Sequence, residues 1–337
     1  YDATMVESGA QPRPSPPLAT RGPVTARPLV TEPARCCICG TRDSEPVGSG
    51  PDFEYHTSPD SFLAVRCVHC DVVYLDRRPV TEELARIYPD HYHAFAFTED
   101  RFGFVYSVRR RLEARRLLTT FSDLGPSARI VDVGCGDGFH LDLLAEFGPP
   151  GWVLEGIDLD DRAIAAARHR GLTVHKGRVE SLDLPDATFA AALLIQTIEH
   201  VAEPATVLRA IHRILEPGGR VLLVTDNTAS LDFALTKRRH WGGYHFPRHW
   251  YLFNPRSIER LAHATGFEIA SLGTMMSPVN WVYSARNALD DWGAPAEVVD
   301  HFSLESPVAL AAGTAFDTLH QLAGRGALVR AVLRRPT

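Results

Sequence analysis

No run of apolar residues in the chain reaches the roughly 20 needed to cross a bilayer, and no secretory signal pattern opens it. The first absence excludes a helical membrane span, and the second sets cytoplasm as the expected compartment. An excess of basic residues is also missing. Lys and Arg number 35 against 41 Asp and Glu, a net charge of −6. That balance disfavours a nucleic-acid partner, because a phosphate backbone calls for a basic face. Glycine is missing where a dinucleotide fingerprint needs it. G-x-G-x-x-G counted from Gly134 or Gly136 requires glycine at 139 or 141, and Phe139 and Leu141 stand there, so a nicotinamide dinucleotide is disfavoured. Residues 1–34 lack apolar periodicity and are rich in Pro, Ala, Thr and Arg, so they are expected to form a disordered tail.

What is present converges on one crevice. With 337 residues, 45% hydrophobic and 23% charged, the chain has the makeup of a globular protein with one main domain and additions. The apolar run 128–133 reads as a buried parallel strand leading into Gly134-Cys135-Gly136-Asp137-Gly138. Alternate glycines let the chain turn sharply off a strand and leave its backbone open to a ligand. Residues 139–147, with Leu141, Leu144 and Ala145 at helical spacing, supply the following helix. A second apolar run, 152–157, ends in Asp158, where a carboxylate can accept hydrogen bonds from both hydroxyls of a ribose. Residues 173–176, 189–195 and 221–225 read as the next three strands, each followed by helix-like sequence. Such alternation implies a parallel, doubly wound sheet with Gly134, Asp158 and Gln196 around one crevice.

Asp132, Gly134, Gly136, Gly138 and Asp158 together resemble the D/E-x-G-x-G-x-G motif and second acidic strand end of the class I S-adenosylmethionine-dependent methyltransferases. Leu215-Glu216-Pro217-Gly218-Gly219 resembles that family's L-x-P-G-G turn into its fifth strand, and the likeness spans residues 105–275. The resemblance implies an α/β, Rossmann-like fold with a mostly parallel seven-stranded sheet. It also implies S-adenosylmethionine held by those five residues, with Val179 and Glu180 against the adenine, because Arg178 stands where Asp is common. Tyr88-Pro89-Asp90-His91-Tyr92 resembles a Y-P-x-x-Y element that closes over the cofactor, which puts Tyr92 near its methionine part; a capping turn with exposed aromatics is the alternative. A related set of methyltransferases binds magnesium through E-x-x-E-H at the end of the fourth strand. Here Gln196 replaces the first glutamate, which weakens a hard-cation site and leaves Glu199 and His200 a structural or cofactor-lining role.

Cys36-x-x-Cys39 and Cys67-x-x-Cys70 have the paired spacing of a structural zinc site. Four thiolates leave no open position, so the metal would fasten a small ribbon, residues 35–78, and take no part in catalysis. Two disulfides or plain buried thiols are the alternatives, the former disfavoured in cytoplasm. Cys37 and His69 are expected outside the shell, and Cys135 is expected to be a packing residue. A ribbon ahead of such a core resembles the sugar C-methyltransferases and wider bacterial families of polysaccharide and secondary-metabolite biosynthesis; some RNA methyltransferases carry one too.

Residues 79–127 are expected to form a helical linker and cofactor lid, and 128–275 the core, interrupted by a long loop at 228–256. That loop carries His245, Arg248 and His249 among aromatics, and a loop of such length is commonly functional. His249-x-Tyr251-x-Phe253 resembles the E-H-x-x-Y-F signature of the sugar C-methyltransferases, with Arg248 in place of glutamate, a change that favours an anionic acceptor. His249 and His245 are the candidate bases or acceptor ligands, Tyr244 and Arg248 the second choices. Residues 276–337 are expected to be a C-terminal helical extension serving as lid or dimer contact, with membrane-surface binding by 309–322 and the following arginines a weaker alternative. The expected reaction is O-methylation of a small-molecule acceptor, with C-methylation of a sugar and methylation of RNA as alternatives.

Overall fold

The computed structural model describes residues 27–89 and 99–337. It opens on short strands: β1 (Thr31–Pro33), β2 (Ser44–Pro51), β3 (Ser61–Cys67), β4 (Val73–Leu75) and β5 (Arg77–Pro79). β1 pairs antiparallel with β5, so the tail expected to run to residue 34 gives way to paired chain at Thr31. Then come α1 (Leu84–Ile87) and α2 (Glu99–Thr120). α2 is tied to the core, where Arg110 reaches Asp142 at 2.7 Å.

The core follows as β6 (Arg129–Val133), α3 (Phe139–Phe147), β7 (Val153–Asp158), α4 (Asp161–His169), β8 (Thr173–Lys176), β9 (Phe189–Ile195), α5 (Pro204–Ile214) and β10 (Leu215–Asp226). Beyond it lie α6 (Leu231–Thr236), β11 (Tyr251–Leu252), α7 (Pro255–Ala264), β12 (Glu268–Met275), α8 (Val279–Asp291), α9 (Ala296–Asp300), α10 (Pro307–Leu322) and β13 (Leu328–Arg334). Seven strands make one sheet in the order β12-β13-β10-β9-β6-β7-β8. β8, β7, β6, β9 and β10 run parallel, and β13 runs antiparallel between β10 and β12. β9 is apolar along its whole length and nearly all buried, as a strand covered by helices on both faces must be. α5 turns Val207, Leu208, Ile211 and Ile214 onto that sheet at helical spacing. Strand order reverses between β6 and β9, which makes their carboxyl ends the binding crevice.

Two sequence expectations change. The fifth strand begins at Leu215 rather than 221, because the Pro217-Gly218-Gly219 turn is carried as an irregularity inside its pairing with β9. The region 276–337 is not a helical extension throughout, because β13 belongs to the sheet. Its Val329, Ala331 and Leu333 are fully buried, Arg334 pairs with Glu268 at 2.6 Å, and Arg330 bonds Thr120. Two of the four arginines expected beside a membrane-binding helix thus lie on a strand with protein partners. Among the described residues no helix is long and apolar enough to cross a membrane.

A second sheet, β11-β4-β3-β2, joins distant parts of the chain. β11 lies in the 228–256 loop, yet it pairs with β4 of the N-terminal segment through Tyr251 with Tyr74 and Leu252 with Val73. The loop itself is built rather than irregular, containing α6, a 3-10 turn at Gly242–Tyr244 and β11.

Candidate active site

The crevice is shaped first by backbone. Gly134, Gly136 and Gly138 all have positive φ, at 76°, 53° and 83°, which excludes most side chains. A Cβ at Gly134 would stand 2.4 Å from Thr197, whereas one at Gly136 would meet nothing within 4 Å among the described residues. The middle of the turn therefore borders open space of the kind a ligand fills. Asp158, at the end of β7, accepts from Gly136 N at 2.8 Å through one oxygen and from Leu159 N and Asp160 N at 2.7 and 2.8 Å through the other. Three of a carboxylate's roughly four acceptor sites are thus occupied, which leaves capacity for a ribose hydroxyl. Burial raises the Asp158 pKa despite these amides. Asp132 is 1% exposed, and among the described residues its Oδ2 has no hydrogen-bond partner, His140 Nδ1 standing 3.7 Å away. These features fit S-adenosylmethionine. Val179 is buried, Glu180 and Gln196 are exposed, and Tyr92 lies outside the described residues.

The thiols Cys36, Cys39, Cys67 and Cys70 lie within 4.8 Å of one another, with Cys39 Sγ 3.6 Å from Cys67 Sγ. Zinc bonds of about 2.3 Å set tetrahedral sulfurs roughly 3.8 Å apart, so the set fits that ion. The six cysteines, all among the described residues, form no disulfide. Gly40, at φ 71°, turns the chain after Cys39. Cys37 stands outside the set, His69 is exposed, and Cys135 packs where a Cβ on Gly156 would touch it.

Between these two features the chain gathers three imidazoles. His200 and His249 have ring centroids 4.6 Å apart, and His245 and His249 4.9 Å. His200 comes from a 3-10 turn at Ile198–His200 after β9; the other two come from the insertion. The ribbon contributes as well. The segment between β2 and β3 brings Glu54 Oε2 to 2.5 Å from His245 Nδ1, and Tyr88 Oη lies 2.9 Å from His200 Nδ1. His245 has φ 41°, a strained conformation for a side chain of its size. Beside them Glu199 and Asp226 are buried carboxylates. Burial first, and the Asp226 charge second, hold Glu199 above the ordinary carboxylate range; burial does the same to Asp226. Burial and then the charges of His200 and His245 push His249 well below the usual histidine range.

The structure brings His245 and His249 together, turns Arg248 into the protein, and engages the Tyr244 hydroxyl while leaving Tyr244 in the lining of the cleft beside His245. Arg248 is fully buried, with NH1 and NH2 on the two Asp52 oxygens at 3.1 and 2.9 Å and Nε donating to Ile87 O at 2.6 Å. Its guanidinium is spent on the protein, which corrects its expected role toward an anionic acceptor. Burial would raise the Asp52 pKa, yet Arg248 and Thr57 hold it below the ordinary value. Asp52 also accepts from the amides of Tyr55 and Thr57, each at 3.0 Å, and so shapes the turn that carries Glu54. Tyr244 is buried, its hydroxyl donating to Lys237 O at 2.5 Å. Sequence reasoning missed Asp52, Glu54 and Asp226. The one local signal for the first two is the charged and aromatic run 52–56 between two short strands.

A family profile described as a methyltransferase domain matches residues 104–272, half of the chain. The chain is similar to an uncharacterized 37.1 kDa protein in transposon TN4556 of Streptomyces fradiae, 33% identical over 114 residues, which are 32% of this chain and 33% of that protein. It is also similar to a ubiquinone biosynthesis O-methyltransferase of Xanthomonas oryzae pv. oryzae, 35% identical over 115 residues, 32% of this chain and 47% of the relative. The matches thus span less than half of either relative. Among solved structures, a phosphoethanolamine N-methyltransferase 2 of Haemonchus contortus in complex with S-adenosyl-L-methionine superposes with TM-score 0.50 at 20% identity, covering 87% of this chain and 69% of that one. The chain belongs to the methyltransferase-domain family, and its sheet is that of the class I S-adenosylmethionine-dependent enzymes.

Proposed function

We propose that the protein transfers a methyl group from S-adenosylmethionine to a hydroxyl of a small molecule seated against the His200, His245 and His249 cluster, with the ribbon held by zinc on the four cysteines. The observation that carries the reading is the enclosure of three imidazoles at the carboxyl ends of β9 and β10, beside the glycine turn. Bound there, the cofactor supplies an electrophilic methyl carbon. Methyl transfer is an in-line displacement, so the chain's task is to align the acceptor, exclude water and take up the hydroxyl proton as the oxygen–carbon bond forms. His245 is the better base. Glu54 holds its Nδ1, so Nε2 receives the proton and the carboxylate stabilises the resulting imidazolium. His249, the first choice from sequence, is kept neutral by its surroundings and is the weaker proton acceptor. A cleft lined by Glu54, Trp241, Tyr244, His245, Tyr283 and Asn287 among others reaches the cluster at His245.

The O-methyltransferase relatives support transfer to oxygen. The departure at Arg248 carries no weight against C-methylation of a sugar, however, because Arg248 is engaged by Asp52. The ribbon, closing over the cluster as one sheet with β11, favours that second reading. The test is release of S-adenosylhomocysteine against a panel of phenols, hydroxylated quinone precursors and nucleotide-linked deoxysugars. His245→Gln is expected to lower turnover on any acceptor found by about 10²-fold or more with cofactor affinity intact. Unchanged turnover removes His245 from the reaction.

A further inference from the structure

One polar group in the cluster is left without a partner among the described residues. Glu199 is fully buried; its Oε2 accepts from Thr225 Oγ1 at 2.9 Å, and among the described residues its Oε1 has no hydrogen-bond partner. Buried carboxylate oxygens rarely remain unsatisfied, because a desolvated acceptor without a donor is costly. Around it stand two imidazoles held in the manner of metal ligands. His249 Nδ1 lies 2.9 Å from Gly243 O. A carbonyl can only accept, so Nδ1 carries the hydrogen and Nε2 the lone pair. His200 directs its Nδ1 to Tyr88 Oη and, at 3.3 Å, to Arg248 O. Asp226 Oδ2 sits 3.4 Å from His249 Nδ1 and is itself held by Asn280, whose Nδ2 donates to Oδ1 at 2.7 Å. A ring nitrogen pinned by a carbonyl or carboxylate, as His249 Nδ1 is by Gly243 O and Asp226, is how outer-shell groups orient histidine ligands.

One donor atom from each of Glu199, His200 and His249 lies within 4.8 Å of the others. Bonds of about 2.1 Å put tetrahedral donors roughly 3.4 Å apart, so small side-chain movements close the set. We propose that Glu199, His200 and His249 form a second metal site, distinct from the four thiols, which takes a borderline divalent transition ion such as Zn²⁺ and keeps a position open for an oxygen of the acceptor. Two imidazoles and one carboxylate are the ligand set of open zinc sites. Magnesium, which demands octahedral oxygen, is a poor match for two nitrogens, so the replacement of a carboxylate by Gln196 changes which cation the site prefers and does not abolish it. The ion's role in lowering the pKa of the acceptor hydroxyl rests on the methyl-transfer reading; its binding does not.

The test is metal stoichiometry on the full chain, stripped of metal and titrated with Zn²⁺, with Mg²⁺ as the control. Two equivalents of Zn²⁺ are expected. Glu199→Gln and, independently, His249→Gln should weaken one equivalent by on the order of 10²-fold or more, while Cys36→Ser with Cys39→Ser removes the other. Thermal melts and S-adenosylmethionine titration report whether each variant is folded. With Co²⁺, the thiol site gives intense sulfur-to-metal charge-transfer bands and the second site only weak ligand-field bands, and Glu199→Gln should erase the latter alone. A single equivalent lost with the cysteines, or a second one indifferent to both Glu199→Gln and His249→Gln in folded protein, overturns the proposal. Two equivalents without cofactor uptake would sustain the ion site and defeat the methyl-transfer reading instead.

Discussion

The cofactor side and the acceptor side of the crevice are built in opposite ways. On the cofactor side, Gly134, Gly136, Gly138 and Asp158 lie within one strand-helix-strand unit, and Asp158 bonds Gly136 across 22 positions of sequence. On the acceptor side, Arg248 meets Asp52 across 196 positions, β11 completes the ribbon's sheet, and a Cβ on Gly48 of β2 would stand 1.9 Å from Lys237 O. Nucleotide binding is thus left to a local turn, while acceptor binding is assembled from segments that must first find one another. On the proposed reading the ribbon is a wall of the active site as much as an appendage to it.

The sharpest way to break this comparison is to remove the ribbon's fastening. Cys67→Ser with Cys70→Ser should forfeit most of a stabilisation on the order of 10 kcal/mol from metal binding. Hydrogen exchange is then expected to lose protection over residues 31–79 and 240–253, with turnover abolished and cofactor affinity within about threefold of the parent. A parallel loss of cofactor binding would mean that the two sides are one folding unit. Next in size is the buried ion pair. Arg248→Met leaves Asp52 as an uncompensated buried charge and should cost about 3–5 kcal/mol in denaturant unfolding. Adding Asp52→Leu should recover much of that, and strictly additive losses would show the pair to be uncoupled. The smallest effect belongs to the cofactor side. Asp158→Asn should weaken S-adenosylmethionine binding by roughly 10–10²-fold, as the loss of a charged acceptor worth about 1.5–3 kcal/mol implies, with the melting temperature little changed.

The same contrast explains what could be read from the chain. The glycine turn, Asp158 and the strands at 173–176 and 189–195 were legible because each depends on neighbours in sequence. β13 went unread although its signal is local: Val329, Ala331 and Leu333 alternate as a strand requires, but Arg330 and Arg334 made the segment resemble a basic tail. The histidines of the insertion were visible as a cluster, but their order of importance was not. That order depends on Glu54, Asp52 and Glu199, and no spacing rule connects a turn near residue 54 with residues 245 and 248. Arg248 misled most, because an arginine in a histidine-rich loop reads as an anion ligand until its carboxylate partner is seen.

The last strand has one further consequence. Met275 and Leu328 face each other as register partners in the β12 and β13 pairing, so the helices between them leave the sheet and return to it at a single point. A short hairpin turn would bridge that gap without disturbing any strand. Residues 276–327 are therefore one excursion from the sheet that also braces the site: Asn280 and Ser284 reach from it to Asp226 and to the amide of Gly242, so changes within it are transmitted to the histidine cluster.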